Sequence, residues 1–174
     1  MPEGPASRAP GQRAKDLAFS LAVLFVALVP RLYVAIAWSK EPVWDGHYYH
    51  FGAERIASGL GYSEDVWVDG RLVWKPWVHY PVGYSAFLAL AYGVVGSDLL
   101  VAPLSNAVAG ALLAVVAHRL ARPYLGETRA RVGAALVALH PGLIAYSALV
   151  MTELLAAGFL LAPGLALLAA TPRG

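Results

Sequence analysis

Two carboxylates stand out by their surroundings in this chain of 174 residues. Asp45 lies in VWDGHYY, ringed by Trp44, Tyr48 and Tyr49, and Glu153 opens an apolar run in SALVMTELLA. A carboxylate set among aromatic rings is partly desolvated and can take a proton or hold a metal ion. Glu153 is the only acid after Glu127, and an ionisable group at membrane depth is costly enough to be read first as functional. Each also has a plainer role. Asp45 can cap a helix starting near Gly46. Glu153 can sit in a first helical turn favoured by the helix dipole, with Thr152 as a nearby cap.

Arg31, late in the first hydrophobic segment, can bind a phosphate or pair with a carboxylate; a snorkelling arginine is the alternative. His47, His50 and His79 suggest a metal site only loosely. The first two share a helix face at i, i+3, but no HExxH or similar spacing accompanies them, so surface or hydrogen-bonding histidines are the better reading. The tryptophans and tyrosines are most simply an interfacial belt.

These residues have to be positioned by elements that the charge distribution already separates. The chain is 59% hydrophobic and 14% charged, against about 25% charged in a typical soluble domain. Charges collect at 1–16, 40–79 and 118–131, with nearly uncharged stretches between, as alternation between bilayer and water produces. Residues 1–16 read as a disordered cytoplasmic tail. Residues 17–38 are long enough for a first transmembrane helix, which needs ~20 residues. They run on to Trp38-Ser39-Lys40 without a small-x-small cleavage site, so a retained helix is favoured over a signal peptide.

Residues 39–97 form the polar, extracytoplasmic loop. HYYHFGAERIASGLGY (47–62) reads as an amphipathic helix stopped by Gly59 and Gly61. DVWVDGRLVW (65–74) alternates around Asp69-Gly70, a hairpin signal. Residues 82–95 are apolar but short. Placing them along the outer interface makes the arginines at 119–131 cytoplasmic, as the positive-inside rule prefers, and returns the 147–153 turn to the side of Asp45. Residues 98–174 then supply three more spans. The expected fold is an all-α polytopic membrane helix bundle of about four spanning helices, both termini cytoplasmic, in the inner or plasma membrane. Its large first loop bears interfacial helices.

With no cysteine, disulfides, Cys-ligated zinc and thiol nucleophiles are excluded. A formal net charge of +2 argues for no nucleic-acid partner. No Gly-rich phosphate loop, GxSxG or nucleotide fingerprint occurs.

The order of features resembles the start of the GT-C glycosyltransferases, multi-spanning enzymes that take sugars from polyprenyl-phosphate carriers, such as protein O-mannosyltransferases and the lipid A aminoarabinose transferases. It is carried by Arg31, by WDGHYYHFGAERIASGLGYS with Asp45, Tyr49, Ala53 and Gly59–Gly61-Tyr62, and by HYPVGYSAFLALAYGVVG (79–96). The following helices look like SNAVAGALLAVVAHRLAR (105–122) and ALVALHPGLIAYSALVMTELL (135–155). The resemblance implies Asp45 as the first-loop catalytic base and Glu153 as the second acidic residue. It also implies a divalent cation held by Asp45 and Glu153 in some relatives, and none in others. Substrate contacts would fall to Arg31, Tyr49, His79 and Tyr84, with Arg31 near the lipid phosphate. The partners implied are a polyprenyl-phosphate-linked sugar and membrane lipid. Pro-Val-Gly-Tyr-Ser (81–85) departs from the family's proline-rich segment. Family enzymes also have more helices and a later external loop, so the chain looks like the front part of one, with a C-terminal complementing chain as an expected partner.

Two other classes compete. A non-catalytic membrane scaffold or assembly subunit fits the short length. A transporter half would need polar residues near the bilayer midplane, where Ser105 and Asn106 offer little. Convergence of Asp45 and Glu153 on one face separates the enzyme from both.

Overall fold

The computed structural model describes residues 10–170, of which the greater part is helical. Residues 1–9 of the expected disordered tail lie outside that range, as do 171–174. Residues 10–16 are helical, so the tail boundary expected at 16 is corrected. Helix α1 runs Pro10–Ala37, its first turns tied by Gln12 Nε2 donating to Asp16 (3.0 Å) and Ser20 Oγ donating to the Asp16 carbonyl (3.0 Å). The helices that follow are α2 (Asp45–Ala57), α3 (Val82–Val95), α4 (Val101–Leu125), α5 (Glu127–Ala138), α6 (Pro141–Ala145) and α7 (Glu153–Ala170).

The all-α expectation needs one correction. Strands β1 (Ser63–Val68) and β2 (Arg71–Pro76) pair antiparallel, Val68 opposite Arg71. The two-residue turn between them puts Asp69 at φ 48° and Gly70 at φ 76°, the left-handed pair that a type I′ hairpin requires and that Asp-Gly supplies.

Two helices, α1 and α4, are long and apolar enough to cross a membrane. Helix α3, at 14 residues, reaches only about 21 Å, short of a hydrocarbon core of ~30 Å. The hydrophobic run at 132–146 is not one helix. It breaks after Ala138, because Pro141 cannot donate to the Val137 carbonyl and disfavours helix in the residue before it.

Contacts fix the directions of the bundle. Arg122, late in α4, holds Asp16, early in α1 (2.8 and 3.1 Å), and Ser39 Oγ donates to the Leu99 carbonyl (3.3 Å). Helices α1 and α4 are therefore antiparallel. The whole stretch from 39 to 99 leaves and returns at one end of the bundle. A side chain added at Gly110 would meet Leu154, and one at Gly164 would meet Leu120, so α7 runs parallel to α4.

The bundle is built inside out relative to a water-soluble domain. Its interior is lined by small residues: Ala27, Ala107, Gly110, Ala111, Ala114, Ala130, Ala134 and Ala138 are buried. Its outside carries large ones, with Leu17, Leu21, Phe25, Val29, Tyr33 and Ile36 forming an exposed stripe along α1. Close backbone approach over small residues is how helices associate in lipid, where burying large apolar groups brings no advantage. Soluble monomers rarely expose so continuous an apolar surface.

Arg31 is the exception in this interior, and it is fully buried. Its Nη1 donates to the carbonyls of Ala27 (2.8 Å) and Ala138 (2.5 Å), and its Nη2 to that of Val137 (3.0 Å). The last carbonyls of a helix lack intrahelical donors, and Pro141 removes the one Val137 would have used. A cation at the negative end of the helix dipole satisfies them. Arg31 thus caps α5 from α1, and Gly110 makes room for it: a Cβ there would sit 2.8 Å from Arg31 Nε.

Candidate functional site

Asp45 is the first residue of α2, and Trp44 before it has φ 51°. A bulky side chain in the left-handed region is strained, and such strain gathers where structure aims a functional group. The carboxylate does not cap its own helix, which has no side-chain cap. It accepts instead from Tyr80, whose hydroxyl donates to Oδ1 at 2.7 Å. That bond, with smaller contributions from burial and the Asp45 charge, pushes the Tyr80 hydroxyl up to about 12. The phenol stays protonated and remains a donor throughout the physiological range.

The turn before α7 comes to the same place. Gly46 is buried, and a Cβ on it would meet the Val150 carbonyl at 3.0 Å and the Val150 side chain at 3.3 Å. Asn106 of α4 holds that turn, Nδ2 donating to the Leu149 carbonyl at 2.6 Å. Tyr49, one turn into α2 from Asp45, lies within electrostatic reach of both acids. Burial, then the charge of Asp45, then more weakly that of Glu153, push its hydroxyl above its ordinary value against a hydrogen bond with Thr152. Asp45, Tyr49, Thr152 and Glu153 therefore gather at the loop end of the bundle. Glu153 is exposed in the first turn of α7.

The remaining expected site residues divide. His79 lies on the exposed rim, its ring 5.4 Å from Tyr48 and 4.8 Å from Tyr80. Tyr84 is buried and donates to Asn106 Oδ1 at 3.0 Å, so its hydroxyl is used in joining α3 to α4. Arg31 is enclosed by the bundle, away from the Asp45 surface. His47 and His50 do not join a metal set: His50 hydrogen-bonds Tyr92 (2.7 Å) on the α3 side of α2. Among the described residues no three His, Cys, Asp or Glu side chains gather to hold a metal. Asp45 and Glu153 are both exposed to solvent.

Tyr80 is the residue that reading the sequence misses. The signal was present. An antiparallel hairpin returns the chain to its start, and Trp77 N donates to the Tyr62 carbonyl at 3.0 Å just beyond it. Residues 77–80 must then run back beside α2.

Compared with known families, curated proteins and solved structures, the chain matches no family model, no curated protein and no solved structure.

Proposed function

We propose that this chain is a multi-pass membrane glycosyltransferase, or the front part of one, acting on a polyprenyl-phosphate-linked sugar at the extracytoplasmic surface. The observation that carries the reading is that Asp45 and Glu153, more than a hundred residues apart, both lie within electrostatic reach of Tyr49, where Gly46 packs against Val150. A scaffold has no need to bring two acids together without a cation between them.

In the reaction, an acceptor hydroxyl attacks the anomeric carbon of the lipid-linked sugar. The new carbon–oxygen bond forms as the bond to the phosphate oxygen breaks, and the electron pair leaves with the polyprenyl phosphate. The acceptor proton passes to Asp45, positioned by Tyr80 and acting as general base. Arg31 is committed to the carbonyls of α5, so it is not the counter-charge for the leaving phosphate. A divalent cation held by Asp45 and Glu153 would supply that counter-charge.

The test uses single cysteines at 45, 127 and 153 in this cysteine-free chain, with a membrane-impermeant thiol reagent on intact cells. Labelling at 45 and 153 but not 127 is expected. Labelling at 127 with 153 protected would divide the acids across the membrane and overturn the reading. Release of polyprenyl phosphate from a radiolabelled polyprenyl-phosphate hexose, lost in Asp45→Asn, tests the chemistry directly.

A further inference from the structure

Against Tyr48 lies a cleft that the proton transfer does not use. It has a volume of about 330 Å³ and is lined by Tyr48, Glu64, Trp77, Val78 and His79. That is at the small end of the ~300–1,000 Å³ typical of small-molecule sites, room for one or two sugar rings. We infer that this cleft binds the acceptor, and that the acceptor is a neutral saccharide. The inference takes the transfer reading as its premise.

Its lining is suited to a molecule with apolar ring faces and polar edges. Tyr48, Trp77 and His79 each present an aromatic body and a polar tip. Their rings lie tilted, Tyr48 to Trp77 at 44° and to His79 at 59°. They form a slanted wall for stacking, whereas a cationic ligand is best held by a box of ring faces. The Glu64 side chain forms no hydrogen bond or ion pair among the described residues, although Lys75 stands opposite it in the hairpin register. Both of its oxygens are open to accept from hydroxyls, and a carboxylate takes a pair of donors side by side.

Charge excludes an anionic acceptor. The described stretch 39–100 together with Glu153 carries eight acidic residues against four basic ones, a field that repels phosphate and carboxylate ligands. Position links the cleft to the chemistry. Tyr48 stacks on Tyr80 with centroids 5.2 Å apart at 25°, and Tyr80 donates to Asp45. A ring seated against Tyr48 is thus linked to the base through two side chains, Tyr48 and Tyr80.

The experiment is saturation-transfer NMR on the full chain in lipid nanodiscs, which avoid sugar-headed detergents. The probes are methyl hexopyranosides, the matching methyl aminohexosides and hexose 6-phosphates. Neutral glycosides are expected to bind through their ring C–H faces. Glu64→Gln and Tyr48→Leu should each weaken binding about tenfold, with thermal unfolding unchanged. Tighter binding of the amine or the phosphate, or no effect of either cleft variant, overturns the inference. Transfer that requires Asp45 but proceeds to a non-sugar acceptor would sink this inference and spare the transfer reading. Saccharide binding without release of polyprenyl phosphate would do the reverse.

Discussion

The two ends of the bundle treat their charges in opposite ways. At one end, 10–16 and 118–131 bring six basic and two acidic residues together, and both acids are spoken for. Asp16 takes both Nη atoms of Arg122, and Glu127 is held by Arg122 and by Arg131 (2.6 Å). Arg131 also stacks its guanidinium 4.7 Å over Phe19. At the other end the acids outnumber the bases, yet the ones nearest the turn before α7 have no cation. Asp45 receives a neutral phenol, and Glu153 forms no ion pair among the described residues. Acids that hold a fold together are matched by cations, which limits their reactivity. Acids kept free for a substrate or a metal are not.

Removing acids from the two ends should separate these roles by the largest margin. Asp45→Asn is expected to lower transfer by ~10²–10⁴-fold, the contribution of a positioned base, with the melting temperature unchanged. Glu153→Gln should lower it by ~10²-fold or more if that acid shares the cation. Glu127→Gln should do the opposite, lowering the melting temperature while the folded fraction keeps full transfer per molecule. Initial rates of polyprenyl-phosphate release, normalised to folded protein, read both. Equal losses at 45 and 127 would erase the distinction between the ends.

The next effect tests the junction that keeps the two free acids together. Gly46→Val places side-chain carbon against the Val150 carbonyl, where even a Cβ comes within 3.0 Å, so α2 and the turn before α7 must separate. Misplacing a reacting group by about 1 Å costs on the order of 10²-fold. Transfer should fall by roughly tenfold to a hundredfold, with KM little changed. Gly52→Ala is the control on the same helix: its Cβ meets the Tyr62 ring at 2.5 Å, away from the acids. It should perturb stability more than rate.

How much of this was legible beforehand follows from what each feature depends on. The amphipathic helix over 47–62, the Asp-Gly hairpin and the long first helix rest on local spacing, and they appear in place as α2, β1–β2 and α1. The hydrophobic run at 132–146 is apolar enough to suggest one helix, but Pro141 removes the donor for the Val137 carbonyl and ends α5 at Ala138. Arg31 was readable as a costly charge in an apolar helix. Its partners were not, because the carbonyls it caps belong to α5, more than a hundred residues away. Asp45 and Glu153 were legible as isolated acids in aromatic or apolar settings. The Tyr80 hydroxyl that holds Asp45 depends on where the hairpin returns the chain, which sequence spacing alone does not give.

Breaking the basic end is expected to cost stability and no chemistry. Arg122→Ala leaves Asp16 without its two guanidinium bonds and takes from Glu127 one of its two cations. The pair is about one-fifth exposed on each side, so solvent screening discounts it. A loss of about 1 kcal/mol is expected, toward the upper end for ion pairs near a surface. Denaturant or thermal unfolding in nanodiscs measures it, and the loss should shrink as salt is raised. A transfer rate that fell along with stability would mean the two ends are coupled.

The smallest effect is spectroscopic and reports on the acidic end alone. Tyr80 has its hydroxyl raised from the ordinary 10 to about 12, chiefly by donating to Asp45. A raised pKa means the folded state favours the protonated phenol. The stabilisation is fully present below pH 10 and is lost as pH rises through about 12. Burial raises Tyr84 and Tyr92 as well, so absorbance at the tyrosinate band should show several late-titrating tyrosines, and Tyr80→Phe should remove the one near 12. In Asp45→Asn the same group should titrate earlier, back toward 10, because the neutral amide no longer opposes a second negative charge 2.7 Å away. In Arg122→Ala it should not move, since that side chain belongs to the other end. A Tyr80 titration unchanged by Asp45→Asn would mean that the phenol and the carboxylate do not meet. The candidate base would then lose the group that orients it.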